Sequence, residues 1–244
     1  IERNKNQGYP PNPGRTINRL TQTSKLHKIH NYLQFPQRKK ELPIFYDLDV
    51  SLFYWINQHF QSPIMGRFML FITIKGNFIY AGIVCIVAVL AFYKRYGLAF
   101  LVAIGATVGL TDATSHYILK ETIARLRPCH VLPDLINAVN CSNSFSFPSN
   151  HAGNTFAAAT IASLCFRRIT PVVFIFALLV CYSRVYLKVH YPSDVLAGAL
   201  FGGLMGYLGY HQIFSRFLKL ISPNEEKQPG EEQPHDEPTQ NTNP

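Results

Sequence analysis

The sequence predicts an all-α integral membrane protein, a bundle of five to six transmembrane helices with an N-terminal interfacial helix. Of its 244 residues, 48% are hydrophobic and only 15% are charged, whereas charged residues make up about a quarter of an ordinary soluble domain. The apolar residues are gathered in successive runs without the alternating polarity of strands. A soluble helical bundle is the alternative, but five such runs in succession are hard to shield from water.

The apolar runs define the predicted spans. The clearest runs cover residues 77–93, 97–119, 151–166, 169–187 and 193–213. A helix that crosses a bilayer needs about 20 residues, and some of these runs are shorter. Residues 63–75 would add a short or tilted sixth span. The sequence therefore leaves five and six spans open.

Polar segments flank this apolar region and predict three parts of the chain. Residues 1–44 are basic and contain prolines and glycines that break helices, so we expect a flexible arm. Residues 45–221 form the transmembrane domain. Residues 222–244 are rich in Pro, Glu, Gln and Asn, a composition that predicts a disordered tail.

An amphipathic, interfacial helix is predicted over residues 48–60, where apolar side chains lie among polar neighbours. The apolar set is Leu52, Phe53, Trp55, Ile56 and Phe60. The basic arm precedes this helix and contributes much of the net charge of +9. Anionic lipid headgroups are therefore the expected partner of the arm, and nucleic acid is not.

Basic residues mark one side of the bundle. They lie in alternate connections, at Lys94-Arg95, at Arg167-Arg168, and at Arg216 with Lys219. The positive-inside rule assigns these connections to the cytoplasm. Three short polar segments fall at the opposite ends of the spans, so we expect them to converge on the outer face.

Those three segments supply three cations, two histidines and a carboxylate. They are Lys120 with Arg127-Pro128, then Pro148-Ser149-Asn150-His151, and finally Ser183-Arg184 with His190 and Asp194. Such a set suits the transfer of a phosphoryl group through a histidine. Cations hold the non-bridging oxygens, one imidazole attacks phosphorus, and the other protonates the leaving oxygen.

The combination resembles the type 2 phosphatidic acid phosphatase superfamily, whose signature is K-x6-R-P, P-S-G-H and S-R-x5-H-x3-D. The resemblance covers roughly residues 45–213, and the first and third segments match at every signature position. The second segment departs at Asn150, where the family has glycine. Asparagine tolerates positive φ better than most residues, so we expect the turn to be kept.

The resemblance implies a role for each matched residue. The implied catalytic residues are His190 as the nucleophile that forms a phosphohistidine, Asp194 as its orienting partner, and His151 as the general acid. The implied phosphate-binding residues are Lys120, Arg127, Ser149, Asn150 and Arg184. If one helix extends over both His190 and Asp194, the two lie one turn apart, and the carboxylate can accept a hydrogen bond from the ring.

Other polar residues near these segments admit simpler interpretations. Ser149 can be only a helix cap. Arg125 and Lys188 occupy no signature position, so we interpret them as interfacial anchors that reach toward lipid headgroups. Asp112 and His116 precede Lys120 at steps of four, and we leave both outside the catalytic set. An acidic residue inside a span is costly unless it is paired.

The cysteines and acidic residues do not predict a metal centre. No Cys/His spacing resembles a zinc site, and the carboxylates do not cluster as a metal cage requires. We therefore expect no metal and no cofactor, because the cations supply the charge that a metal would bring. Cys129 and Cys141 share the outer connection, and whether they form a disulfide stays open.

The function that these observations favour is hydrolysis of a phosphomonoester or pyrophosphate of a membrane lipid. Undecaprenyl pyrophosphate or a lipid A phosphate is favoured, and phosphatidylglycerophosphate and phosphatidate are also substrates of the family. The compact size and small outer loop point to a bacterial inner membrane, with the site facing the periplasm or exterior. The alternatives are an enzyme like the vanadate-dependent haloperoxidases and a non-catalytic protein that binds lipid phosphates. The sequence predicts no oligomeric state.

Overall fold

The computed structural model of the chain describes residues 43–132 and 141–222. The predicted arm and tail therefore lie outside the described residues, apart from residues 43–44 and residue 222. The chain divides into two compact units, residues 1–47 and 48–244. The first unit is described only at its end, where a helix begins at Pro43. The architecture below is that of the second unit.

The described residues are helical and include no strand, which confirms the all-α prediction. In chain order the α-helices of the described ranges are α1 (Pro43–His59), α2 (Pro63–Thr73), α3 (Ile79–Thr114), α4 (Lys120–Ile123), α5 (Pro128–Val131), α6 (Asn150–Cys165), α7 (Thr170–Tyr186), α8 (Pro192–Gly209) and α9 (Ser215–Ile221). π-Helical turns at Ser115–Leu119 and Tyr210–Phe214 continue α3 and α8.

Helix α3 is interrupted at Lys94, whose φ of 45° and ψ of −118° are not helical. A Cβ built on Gly97 would lie 2.4 Å from the carbonyl oxygen of Val89. Eight residues of uninterrupted helix would separate these positions by about 12 Å. The chain therefore folds back at Lys94, and the runs predicted over 77–93 and 97–119 form two arms of α3.

Within residues 43–132 and 141–222, two stretches are long and apolar enough to cross a membrane, Gly76–Val131 and Arg167–Tyr186, and Pro63–Thr73 is a shorter apolar helix. Large apolar side chains are exposed along α3, α7 and α8, among them Val84, Ile175 and Leu200. Continuous apolar surface of this kind is stable against lipid and unstable against water. Five or six spans remain a prediction.

Helices α6 and α8 pack backbone against backbone. Gly198, Gly202 and Gly206 of α8 face the backbone of α6, and a Cβ on Gly202 would lie 2.0 Å from the carbonyl oxygen of Gly153. A stripe of small residues at steps of four permits this approach. The second and third sequence segments begin these two helices, so the contact brings the segments together.

The predicted basic connections meet at one end of the bundle. The Arg95 guanidinium donates to the carbonyl oxygen of Ile221 at 3.0 Å. The Tyr96 hydroxyl donates to the carbonyl oxygen of Cys165, also at 3.0 Å. The Phe166 ring packs against Tyr96 with 5.7 Å between centroids. These contacts confirm that the three connections share one end.

Helix α1 contacts the rest of the bundle through a partly polar stripe. Asp49, Phe53 and Asn57, spaced four apart, are its buried residues, with Phe53 fully enclosed. Asn57 donates to the carbonyl oxygen of Val185 at 3.2 Å. Leu52, Trp55 and Phe60 are exposed. The exposed aromatic face suits a bilayer interface, while a partly polar stripe holds the helix to the bundle.

Substitution of Gly202 by alanine should destabilise the protein by about 1–3 kcal/mol, because the new methyl group overlaps the backbone of α6. Gly203→Ala is the matched control, since its Cβ meets nothing closer than the Thr160 hydroxyl at 4.0 Å. Alanine favours helix over glycine by about 1 kcal/mol, so the control should be neutral or stabilising. Thermal unfolding in detergent measures both. Equal effects would contradict the packing argument.

Candidate active site

The three sequence segments meet around one cavity of about 320 Å³. Its lining includes six of the predicted site residues: Lys120, Arg127, Asn150, His151, Arg184 and His190. The other two, Ser149 and Asp194, are fully buried beside it. Asp112, His116, Ser142, Ser144 and Val189 complete the lining.

His190 lies in the connection between α7 and α8, so it does not share a helix with Asp194. Helix α8 begins at Pro192, because proline is favoured in a first turn and cannot donate a backbone hydrogen bond. The carbonyl oxygen of Arg184 accepts the backbone N–H groups of both Val189 and His190. This turn directs the imidazole back toward the start of α8.

Asp194 holds one edge of the His190 ring. Its Oδ2 is 3.5 Å from His190 Nδ1 and accepts the Tyr191 backbone N–H at 2.8 Å. The Ser146 hydroxyl donates to the same oxygen and lies 3.4 Å from His190 Nδ1. The predicted pairing of His190 with Asp194 is present, and Ser146 bridges it.

Arg127 defines the tautomer of His190. Its Nη1 is 3.1 Å from His190 Nε2, and a guanidinium can only donate. Nε2 is therefore the unprotonated nitrogen, and the ring proton resides on Nδ1, between Asp194 and Ser146. Burial is the main cause that lowers the pKa of His190 to about 3; the hydrogen bond to Asp194 opposes this shift and the Arg127 charge adds to it. The imidazole is neutral at pH 7.

Two of the predicted cations bind backbone carbonyls of the segment before α6. Lys120 Nζ donates to the carbonyl oxygens of Phe145 at 2.7 Å and Pro148 at 2.9 Å. Arg127 Nε donates to the carbonyl oxygen of Ser144 at 2.8 Å. A carbonyl carries no net charge, so these contacts fix the cations while their charge stays in the cavity.

Arg184 reaches the cavity from the last turn of α7. Its Nη1 donates to the hydroxyl of Thr73, the last residue of α2, at 2.6 Å. Arg184 Nε is buried and has no hydrogen-bond partner among the described residues. The short apolar helix α2 thus contributes directly to the site, which its sequence did not indicate.

The start of α6 differs from its predicted capping. Ser149 occupies the N-cap position, but its hydroxyl makes no cap hydrogen bond and has no partner among the described residues. Asn150, in place of the signature glycine, donates to Asp112 at 3.0 Å and accepts from the Ser115 hydroxyl at 2.9 Å. Asn154 also donates to Asp112, at 2.8 Å. Asp112 therefore pairs with the asparagines of α6.

The interpretation of Arg125 as a lipid anchor is wrong. Its side chain is only 8% exposed and lies 2.7 Å from Asp49 Oδ2 and 2.8 Å from Asp194 Oδ1. The guanidinium carbon also stands 4.2 Å from the centroid of the Tyr191 ring. Asp49 and Asp194 are both buried, so the guanidinium that pairs with them is held inside the protein and not at the membrane surface.

Sequence reasoning also missed Ser144, Ser146, Thr73 and Asp49. The serines lie just before the second segment but have no periodicity that marks them. Asp49 carried a usable signal, because it stands four residues before Phe53 and eight before Asn57 on one helical face. Thr73 ends an apolar run, and no pattern in the sequence marked it as part of the site.

Cys129 and Cys141 form a disulfide, with their Cα atoms 6.3 Å apart. The sequence left this pairing open. Within the described ranges, one group of His and Cys side chains comes close enough to share an ion, namely these two cysteines with His130. The two sulfurs of that group are bonded to each other.

Apolar helices around a cavity of buried cations and histidines define a class of membrane enzymes that act on phosphate groups. The chain belongs to the PAP2 superfamily, whose family model matches residues 96–218. It is 34% identical over 182 residues to the lipid A 4'-phosphatase of Bacteroides thetaiotaomicron. The aligned region covers 70% of this chain and 80% of that relative.

Two crystal structures share the fold. LpxE of Aquifex aeolicus has a TM-score of 0.54 and 27% identity, over 67% of this chain and 95% of that one. The transmembrane PAP2 type phosphatidylglycerolphosphate phosphatase of Bacillus subtilis has a TM-score of 0.55 and 25% identity, over 77% and 91%. The chain is thus a membrane protein of a phosphatase family.

The lowered pKa of His190 predicts how stability depends on pH. Between pH 6.5 and about 3 the unfolded chain protonates this residue and the folded chain does not. Stability is therefore full above pH 6.5 and falls with acidification, by at most about 1.4 kcal/mol per pH unit from this group. Between pH 7.5 and 5.5, Tm should fall less in His190→Gln than in the wild type.

His211→Gln is the control, because His211 is exposed. It should keep the wild-type pH dependence of Tm. If His190→Gln also keeps it, the ring is not held neutral in the folded protein.

Proposed function

We propose that this protein hydrolyses a phosphate ester or pyrophosphate of a membrane lipid through a phosphohistidine on His190. The observation that carries the proposal is the contact between Arg127 and His190 Nε2 at the cavity. It places an unprotonated imidazole nitrogen and a fixed guanidinium against the same space. A phosphate attached to that nitrogen would lie against the guanidinium.

In the first step, His190 Nε2 attacks phosphorus and forms the N–P bond while the P–O bond to the lipid breaks. The proton on Nδ1 stays directed at Asp194 and Ser146, which stabilise the positive charge that develops on the ring. His151, which lines the same cavity, donates a proton to the departing oxygen.

In the second step, His151 accepts a proton from water, and the water oxygen attacks phosphorus. The N–P bond breaks, inorganic phosphate leaves, and His190 returns to its neutral tautomer. Each histidine thus ends the cycle in its starting protonation state.

The phosphate-binding set is Lys120, Arg127 and Arg184, with Ser149 and the backbone N–H groups at the start of α6. The buried donors Arg184 Nε and Ser149 Oγ support this assignment, because both lack partners among the described residues. A buried donor without a partner costs about 1–3 kcal/mol, and phosphate oxygens would supply acceptors. Asn150 contributes its backbone N–H, since its side chain is bound to Asp112.

These fixed cations would supply the charge stabilisation that a metal provides in other phosphatases, so we propose metal-independent chemistry. The favoured substrates are lipid A phosphates and undecaprenyl pyrophosphate. Similarity to a lipid A 4'-phosphatase supports the first. Similarity to a phosphatidylglycerolphosphate phosphatase keeps glycerophospholipids as the next candidates.

His190→Ala should abolish phosphate release from every lipid phosphate that the wild type hydrolyses, because no other group forms the covalent intermediate. The assay uses purified protein in detergent with EDTA over a panel of phosphorylated lipid A, undecaprenyl pyrophosphate, phosphatidylglycerophosphate and phosphatidate. Wild-type turnover should survive EDTA. Substantial turnover by His190→Ala would remove the nucleophile assignment, and loss of wild-type turnover in EDTA with recovery in magnesium would remove the metal-independent mechanism.

We further propose that the site faces the periplasm or exterior of a bacterial inner membrane, because the basic connections gather at the opposite end. A single cysteine introduced at Asn143, in a background without the native cysteines, should react with an impermeant maleimide in intact cells. A cysteine at Arg168 should react only after lysis. The reverse pattern would place the site in the cytoplasm.

A further inference from the structure

Two buried charged residues have no part in the chemistry described above, Arg125 and Asp49. They form a chain of ion pairs that ends on the catalytic carboxylate. Arg125 Nη2 donates to Asp49 at 2.7 Å, and Nη1 donates to Asp194 Oδ1 at 2.8 Å. One planar guanidinium thus bridges two carboxylates from helices that are distant in sequence.

Asp49 is itself fixed from the start of α8. Its Oδ1 accepts the Ser193 backbone N–H at 2.8 Å, and its Oδ2 accepts the Ser193 hydroxyl at 2.5 Å. The same hydroxyl accepts a hydrogen bond from Arg125 Nη1 at 2.7 Å. Arg125 is therefore held from both sides by groups that are themselves immobilised.

The two oxygens of Asp194 have separate partners. Oδ1 is bound by Arg125, whereas Oδ2 is bound by the Tyr191 N–H and Ser146 and faces His190 Nδ1. A rotation of the carboxylate that turned Oδ2 away from the ring would also break the Arg125 contact of Oδ1. The contact with Arg125 thus acts together with Tyr191 and Ser146 to fix which oxygen faces His190.

We propose that Arg125 is a positioning residue for the pair of His190 and Asp194, and that Asp49 of α1 holds Arg125 in place. The proposal rests on the function proposed above, because it requires His190 to be the nucleophile. Partners one step removed from a reacting group commonly change activity by about 10- to 100-fold when they are substituted. A purely structural ion pair would lower stability and leave turnover per folded molecule unchanged.

The test is a double-mutant cycle on the full chain in detergent, with short-chain phosphatidic acid as the probe. Lysine keeps the charge but cannot bridge two carboxylates. Arg125→Lys should therefore lower kcat by about 10- to 100-fold, with KM within about twofold of wild type. In an Asp194→Asn background the same substitution should cause no further loss, because its effect passes through Asp194. Arg67→Lys is the matched control, since Arg67 is exposed, and should behave as wild type.

An equal loss of kcat from Arg125→Lys in both backgrounds would overturn the proposal, and so would a lowered Tm with unchanged kcat. If Arg125→Lys does not fold, Asp49→Asn takes its place in the cycle, because the amide keeps the shape and one acceptor for Ser193. The loss of kcat in the two backgrounds and the change in Tm are then judged as for Arg125→Lys.

His190→Ala separates this inference from the proposed function. If His190→Ala still hydrolyses the substrate, both the proposed function and the positioning role of Arg125 are wrong. If His190→Ala is inactive and Arg125→Lys is fully active, only the positioning role is wrong.

Discussion

The backbone contact between α6 and α8 is the constraint on which the site depends. Glycines of α8 let the two helices approach until their backbones touch. The Ser149 N–H donates to the carbonyl oxygen of Asp194 at 2.9 Å, so the first turns of both helices are joined directly. His151 and Asp194 stand on these turns. A separation larger by one methyl group would move both residues relative to the cations from α4 and α7.

The partners of the buried charged side chains follow from this packing of the helices. The buried cations beside the cavity bind mainly carbonyl and hydroxyl oxygens: Lys120 holds the segment before α6, Arg127 holds Ser144, and Arg184 holds Thr73. The carboxylate of Asp194 is paired with Arg125, which is shared with Asp49. Positive charge therefore remains toward the cavity. Dipoles and charges fixed before a reaction stabilise its transition state without reorganisation, which is the arrangement that phosphoryl transfer requires.

A comparison of Arg125 with Arg127 shows where prediction from the sequence failed. Arg125 and Arg127 are two residues apart, both lie near a helix end, and both are arginines. The signature marked only Arg127, and the snorkelling of basic side chains gave Arg125 an adequate explanation. Its actual partners are 69 and 76 positions away in sequence. Similarly, the apolar residues of α1 predicted an interfacial helix, but they gave no sign that Asp49 and Asn57 hold it to the bundle through partners on α7 and α8.

By itself, the sequence determined the helical class and six of the residues that line the cavity, because apolar runs, helical spacing and the signature are local patterns. Tertiary structure alone decided that Lys94 reverses α3, that Arg127 contacts Nε2 of His190, and that Arg125 and Ser146 hold Asp194. Each of these depends on distances between groups on different helices. Such distances follow from how closely the helices pack, and packing is a property of the assembled bundle that no single segment specifies.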